Sequence, residues 1–143
     1  MTARLVVLVV LTVLAVVVAT ALQRRRRPDR PTAPSYEAPT QLDRDDFNRP
    51  DAPWLVVVFA SETCDSCARV WQAVEPVGSP PVAVQQVVVQ RDPALHRRYR
   101  IDGVPTTVVA DAEGVVHRSW LGPFPATDLW GELARLREEP PER

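Results

Sequence analysis

Trp54-Leu55-Val56-Val57-Val58-Phe59-Ala60 is an unbroken apolar run, and it leads through Ser61-Glu62-Thr63 into Cys64-Asp65-Ser66-Cys67. A valine-rich run of this length predicts a buried strand. The cysteine spacing lets one helical turn bring both sulfurs together. A strand, a short loop and a Cys-x-x-Cys opening a helix is the sequence setting of a thiol–disulfide redox pair. The backbone N–H groups and positive dipole end of that helix favour a thiolate on Cys64. A thiolate is the attacking species in disulfide exchange, and Cys67 is placed to resolve a mixed disulfide.

On spacing alone, two other readings stay open beside the favoured redox dithiol: half of a metal site, and an inert core pair. These are the only two cysteines of the chain, and a closed structural zinc site needs four ligands. The only histidines, His96 and His117, lie far from the pair in sequence, and Ala68 excludes the Cys-x-x-Cys-His haem attachment pattern.

The 143 residues allow one compact domain and little more, and the first 40 do not read as part of it. Leu5 to Leu22 carries no charge and is rich in Val and Leu. As a helix it would span about 27 Å, close to the hydrocarbon thickness of a bilayer. Ala19-Thr20-Ala21 mimics a signal-cleavage site. The run is long for a signal core, however, and Arg24, Arg25, Arg26 and Arg27 follow at once, so an uncleaved single-pass anchor is the expectation. The same arginines place the following domain on the cytoplasmic side, with the extracytoplasmic face as the alternative. Pro28, Pro31, Pro34 and Pro39 make the stretch after them a semi-rigid tether. Basic character belongs to this region, since residues 1–40 sum to +4 and residues 41–143 to −5. No aromatic or basic surface elsewhere supports nucleic-acid binding. The expected divisions are an anchor at 1–23, a linker at 24–40, a folded domain at 41–139 and a tail at 140–143.

Within the domain, Leu42 to Phe47 predicts a short helix capped by Asp43. Strand Trp54 to Ala60 precedes helix Asp65 to Glu75, which turns Val70, Trp71 and Val74 inward. Pro76 to Pro81 reads as a loop. Val82 to Val89 predicts a strand, Pro93 to Tyr99 a helix, and Thr106 to Ala110 with Val115 to Trp120 a hairpin turning at Asp111 to Gly114. Thr127 is expected to cap a last helix with Leu129, Trp130, Leu133 and Leu136 on its apolar face. Alternation of strands and helices, closed by a hairpin and a helix, predicts an α/β fold with a mixed sheet.

Three motifs in this order resemble the thioredoxin family. They are Phe59 to Cys67; Asp92-Pro93 with Tyr99-Arg100-Ile101-Asp102-Gly103-Val104-Pro105-Thr106; and Gly114, Gly122 and the C-terminal amphipathic helix. The likeness covers about residues 42–137. It implies a thioredoxin-like mixed sheet flanked by helices, and a cis Val104–Pro105 bond beside the dithiol. By the same resemblance Cys64 is the nucleophile and Cys67 the resolving thiol. Val104 and Pro105 hold the substrate strand, with Thr63 and Gly122 beside it. It implies a monomer that exchanges electrons with protein dithiols or disulfides and with a reductase or oxidase. The only redox group is the Cys64–Cys67 disulfide itself, with no metal and no further cofactor.

The departures narrow this expectation. Thr63 stands where the family usually has tryptophan, Asp65-Ser66 where it has Gly-Pro, and Val58 where many members bury an acid. Glu62 and Asp65 oppose the helix dipole acting on Cys64, so a modestly perturbed thiol and a leaning toward reductase or exchange chemistry are expected. Because fold alone does not fix function, a non-catalytic interaction or redox-sensing module is the alternative. His96 to Arg100 reads as a solvated basic face, His117 as an exposed cross-strand residue, Trp54, Trp71, Trp120 and Trp130 as core, and Pro123-Phe124-Pro125 as a rigid connector.

Overall fold

The structure, a computed structural model, describes residues 37–138. The anchor sequence Leu5 to Leu22, the arginine run and the last five residues lie outside that range. Among the described residues no helix is long and apolar enough to cross a membrane.

Among the described residues four strands form one sheet in the order β2-β1-β3-β4: β1 Trp54–Ala60, β2 Val82–Val88, β3 Thr106–Ala110 and β4 Val116–Leu121. β1 pairs parallel to β2, from Trp54 opposite Val82 to Ala60 opposite Val88. It pairs antiparallel to β3, with Val58 opposite Thr107, and β3 pairs antiparallel to β4. The parallel pair needs a crossover, and α1, Asp65–Val74, supplies it. α2, Pro93–Arg98, links β2 to β3, and α3, Ala126–Glu138, follows β4.

All seven residues of β1 are buried because both sheet faces are covered. Leu55, Val57 and Phe59 pack on one face with Leu42, Phe47, Ala83, Val87, Tyr99 and Val108. Val56 and Val58 pack on the other with Val70 and Val74 of α1 and Leu129, Leu133 and Leu136 of α3. Each such side chain contributes about 1.5–3 kcal/mol on burial, so β1 is the strand the fold can least lose.

The amino-terminal segment straps the first face. Asp43 caps a 3-10 turn at Arg44–Asp46, accepting from the Asp45 amide. The Tyr99 hydroxyl accepts from the Asp43 amide at 3.0 Å and donates to the Asp46 carboxylate. Arg98 reaches Asp43 at 2.8 Å and Asp46 at 3.1 Å. Burial, and then the bond to Asp46, push the Tyr99 phenol up to about 12. An unfolded chain ionises tyrosine near 10, so the raised value contributes stability below pH ~10 that is lost as pH rises toward ~12. The urea midpoint of the wild type is therefore expected to fall across that window. Tyr99→Phe should start lower by about 1 kcal/mol and decline less steeply there; parallel curves would show that Tyr99 carries none of the alkaline loss.

Several local expectations need correction. His96 is buried rather than solvated: it is 5% exposed, its Nε2 lies 3.0 Å from the Val87 carbonyl, and its ring meets Phe59 edge-on. Trp130 lies outside the apolar face of α3 and is 60% exposed. Thr127 does not cap that helix, which begins at Ala126, with the Asp128 amide donating to the Pro125 carbonyl at 3.0 Å. Phe124 stacks on Trp120 with ring centres 4.7 Å apart and packs inward, as befits a connector. His117, by contrast, is exposed on β4 as expected, with its Nε2 2.7 Å from Asp111 and its ring against Trp54.

Candidate active site

The redox pair sits where β1 ends and α1 begins. Cys64 is extended (φ −103°, ψ 104°), the non-helical geometry of an N-cap, and the helix begins at the next residue. Its sulfur accepts from the Cys67 amide at 3.2 Å, so the cysteine itself fills the cap position usually held by an oxygen. The Ser66 hydroxyl lies 3.5 Å from the same sulfur. Cys64 and Cys67 are joined as a disulfide, with their Cα atoms 5.4 Å apart. The two sulfurs are not equivalent. Cys67 is 2% exposed against Ala60 and Val88, whereas Cys64 is only half-buried at the edge of that cluster.

Val104 packs on the same cluster, and the Val104–Pro105 bond is cis. The Pro105 carbonyl accepts from the Gly122 amide at 2.8 Å, and the Thr106 hydroxyl donates to the Gly103 carbonyl at 2.6 Å. Gly122 has φ +84°, a conformation other residues rarely adopt. The fold thus brings Cys64, Cys67, Val104, Pro105 and Gly122, which span much of the sequence, to one end of the sheet.

The loop before Cys64 is held in a way its local sequence does not reveal. Gln90, just beyond β2, accepts from the Glu62 amide at 3.1 Å and donates to the Ser61 hydroxyl at 2.8 Å. Ser61 in turn accepts from the Thr63 amide at 3.3 Å, and the Thr63 hydroxyl lies 3.1 Å away. Glu62 is not a free charge, because Arg91 lies 3.3 Å from its carboxylate. That exposed pair is worth little in stability, but it sets a cation against one of the two carboxylates that flank Cys64. The other, Asp65, is exposed in the first turn of α1. Gln90, Arg91, Ser61 and Ser66 are residues that sequence reading missed. The first two are separated from the loop by 28 and 29 residues, and only the parallel β1–β2 register brings them there.

Among the described residues no carboxylate backs the pair. Val58 is fully buried, and Thr107, directly opposite it, brings a hydroxyl rather than an acid. The one buried carboxylate among the described residues is Asp111. It serves the β3–β4 turn, accepting from the Glu113 and Val115 amides at 3.1 and 2.8 Å. Among the described residues no group of histidine, cysteine and acidic side chains could hold a metal ion.

No family model and no curated protein matches the sequence. Solved structures do. A mutant thioredoxin from Halobacterium salinarum NRC-1 is 25% identical with a TM-score of 0.55, the match covering 64% of this chain and 80% of that one. A malarial protein is 13% identical with a TM-score of 0.53, covering 58% of this chain and 96% of that one, and shares the fold alone. The sheet order, the cis proline and the seat of the dithiol define a thioredoxin-like α/β domain. The described residues thus have a thioredoxin-like fold that carries a Cys-x-x-Cys disulfide.

Proposed function

We propose that the chain is a membrane-tethered thiol–disulfide oxidoreductase acting on protein dithiols or disulfides, with Cys64 as the attacking sulfur and Cys67 as the resolving one. The observation that carries this reading is the asymmetry of the pair. The Cys64 sulfur is the accessible cap of α1, where an N–H donor and the helix dipole favour a thiolate. Cys67 is enclosed one turn later.

In the reducing direction the Cys64 thiolate attacks one sulfur of a substrate disulfide, forming a Cys64–substrate bond and releasing the other substrate sulfur as a thiolate. Cys67, once deprotonated, attacks the Cys64 sulfur and releases the second substrate thiolate, leaving the Cys64–Cys67 disulfide. The substrate gains two electrons and the pair loses two, which a second protein dithiol restores. Val104 and Pro105 would hold the substrate strand, with Thr63 and Gly122 beside it. Asp65 still opposes the thiolate and favours reductase or exchange chemistry, although Arg91 beside Glu62 makes that lean weaker than two unpaired carboxylates would. No metal or further cofactor has a role in these steps, and the domain would act as a monomer.

Turnover of insulin disulfides with a suitable reductant tests the reading. The wild type is expected to accelerate reduction well above reductant alone. Acceleration by neither fresh nor pre-reduced protein would favour a non-catalytic interaction or redox-sensing module instead. The tether rests on Leu5 to Leu22 and the arginines after it, which favour the cytoplasmic face over the extracytoplasmic one. Protease added to intact right-side-out cells should leave the domain whole, and its cleavage there would reverse the assignment.

A further inference from the structure

A cleft of about 510 Å3 lies on the α2 face, lined by Val89, Pro93, His96, Arg97, Arg100, Ile101 and Asp102. It begins where the apolar backing of the dithiol ends. Val89 follows Val88 and its amide donates to the Ala60 carbonyl at 2.9 Å, and both Val88 and Ala60 pack on Cys67. On the other side Asp102 stands two residues before Val104, which packs on the same cluster.

Its two arginines differ from their neighbours. Arg91 pairs with Glu62, and Arg98 with Asp43 and Asp46. Arg97 and Arg100 are exposed, and among the described residues their side chains have no partner. Arg100 also holds a backbone angle, φ +52°, that favours glycine. It closes α2, its amide donating to the Arg97 carbonyl at 3.2 Å and the Ile101 amide to the His96 carbonyl at 2.9 Å. That position after a helix is one glycine commonly fills. A strained residue whose side chain makes no internal hydrogen bond or ion pair points to a use outside the fold. Two unpaired guanidiniums against the single carboxylate of Asp102 leave the cleft net positive, and over a partly apolar floor they suit carboxylates, which arginine can hold in paired hydrogen bonds.

We propose that this cleft receives an acidic segment flanking the reactive cysteine of the protein substrate, making Arg97 and Arg100 determinants of specificity. The proposal deepens the oxidoreductase reading and rests on it for the substrate's identity, but the cleft can be tested apart from turnover. The first probe is binding of a fluorescent peptide whose cysteine is replaced by serine, flanked by glutamates or, as control, by glutamines, to the oxidised full-length protein. The Glu peptide should bind about fivefold or more tightly than the Gln peptide, as two partly exposed ion pairs allow. The preference should shrink as salt is raised past 0.1 M, where the screening length is about 10 Å. Arg97→Gln with Arg100→Gln should abolish the preference.

Arg100→Gly separates a docking role from a structural one: it should raise Tm while lowering affinity for the Glu peptide. Equal binding of the two peptides, a preference that survives the double variant, or a lower Tm in Arg100→Gly would each overturn the proposal. The second probe is reduction of the matching disulfide peptides. The same charge preference should appear in kcat/KM, and its absence there counts against the proposal. Charge-selective binding without turnover of either peptide would support the cleft while refuting the oxidoreductase reading.

Discussion

A Cys67→Ser protein is expected to accumulate a covalent mixed disulfide with its substrate, while a Cys64→Ser protein accumulates none and reduces no disulfide above the free-thiol background. The expectation follows from where the two sulfurs sit. Cys64 is half-buried at the lip of the site, and in the disulfide form its sulfur accepts from the Cys67 amide and lies 3.5 Å from the Ser66 hydroxyl. Donors to the charged form favour the thiolate. Cys67 is 2% exposed behind Ala60 and Val88, where burial disfavours a thiolate and bars a bulky disulfide. Removing the second sulfur therefore leaves the first step intact and blocks the release step. Non-reducing gels and mass spectrometry of the adduct read the outcome directly. Adducts on the Cys64→Ser protein but not on Cys67→Ser would reverse the two roles. Adducts on neither, together with no turnover by the wild type, would leave the pair without an exchange function.

Legibility from sequence tracked the range of the interactions involved. β1 was readable to the residue, because a continuous apolar run bounded by proline and a polar loop suits a strand covered on both sheet faces. The seat of Cys64 was readable for a similar reason, since capping is decided within a few residues. His96 was misread because its neighbours Arg97, Arg98 and Arg100 are charged. Yet His96 and Tyr99 lie three apart in a helical turn, and that spacing carries both to the Phe59 face. Trp130 fails by the same rule. Leu129, Leu133 and Leu136 form the inward stripe, and a residue directly after Leu129 is turned about 100° away from it. Gln90 and Arg91 lay beyond local reading altogether, since their partners Ser61 and Glu62 become neighbours only through β1–β2 pairing. The charge on the nucleophile's rim was therefore overestimated from sequence, and Arg91 supplies the missing cation.

Gly114→Ala is the substitution expected to cost the fold most, and the reason lies in the amino-terminal strap rather than in the turn. Gly114 ends the β3–β4 connection at φ +81°. Its carbonyl accepts from the Leu42 amide at 2.8 Å, and the neighbouring Val116 amide donates to the Thr40 carbonyl at 3.0 Å. A Cβ on Gly114 would stand 2.0 Å from the Leu42 carbonyl oxygen. That backbone atom can retreat only by drawing Leu42, which is 1% exposed, out of the core it shares with Phe59 and Tyr99. The positive φ alone costs about 1–2 kcal/mol, and partial loss of a buried leucine's packing adds about 2 kcal/mol or more. For a domain of this size a loss near 3 kcal/mol lowers Tm by roughly 12 °C or more. Two other glycines separate the contributions. Gly122 shares the positive φ, at +84°, but a Cβ there meets nothing within 4 Å, so Gly122→Ala should lose only the conformational part. Gly131, inside α3, also meets nothing within 4 Å, and Gly131→Ala should gain about 0.5–1 kcal/mol from helix propensity. Denaturant midpoints should rank Gly131→Ala above wild type, then Gly122→Ala, with Gly114→Ala far below. Equal losses at Gly114 and Gly122 would mean that the turn geometry carries the whole cost and that the Leu42 strap contributes none of it.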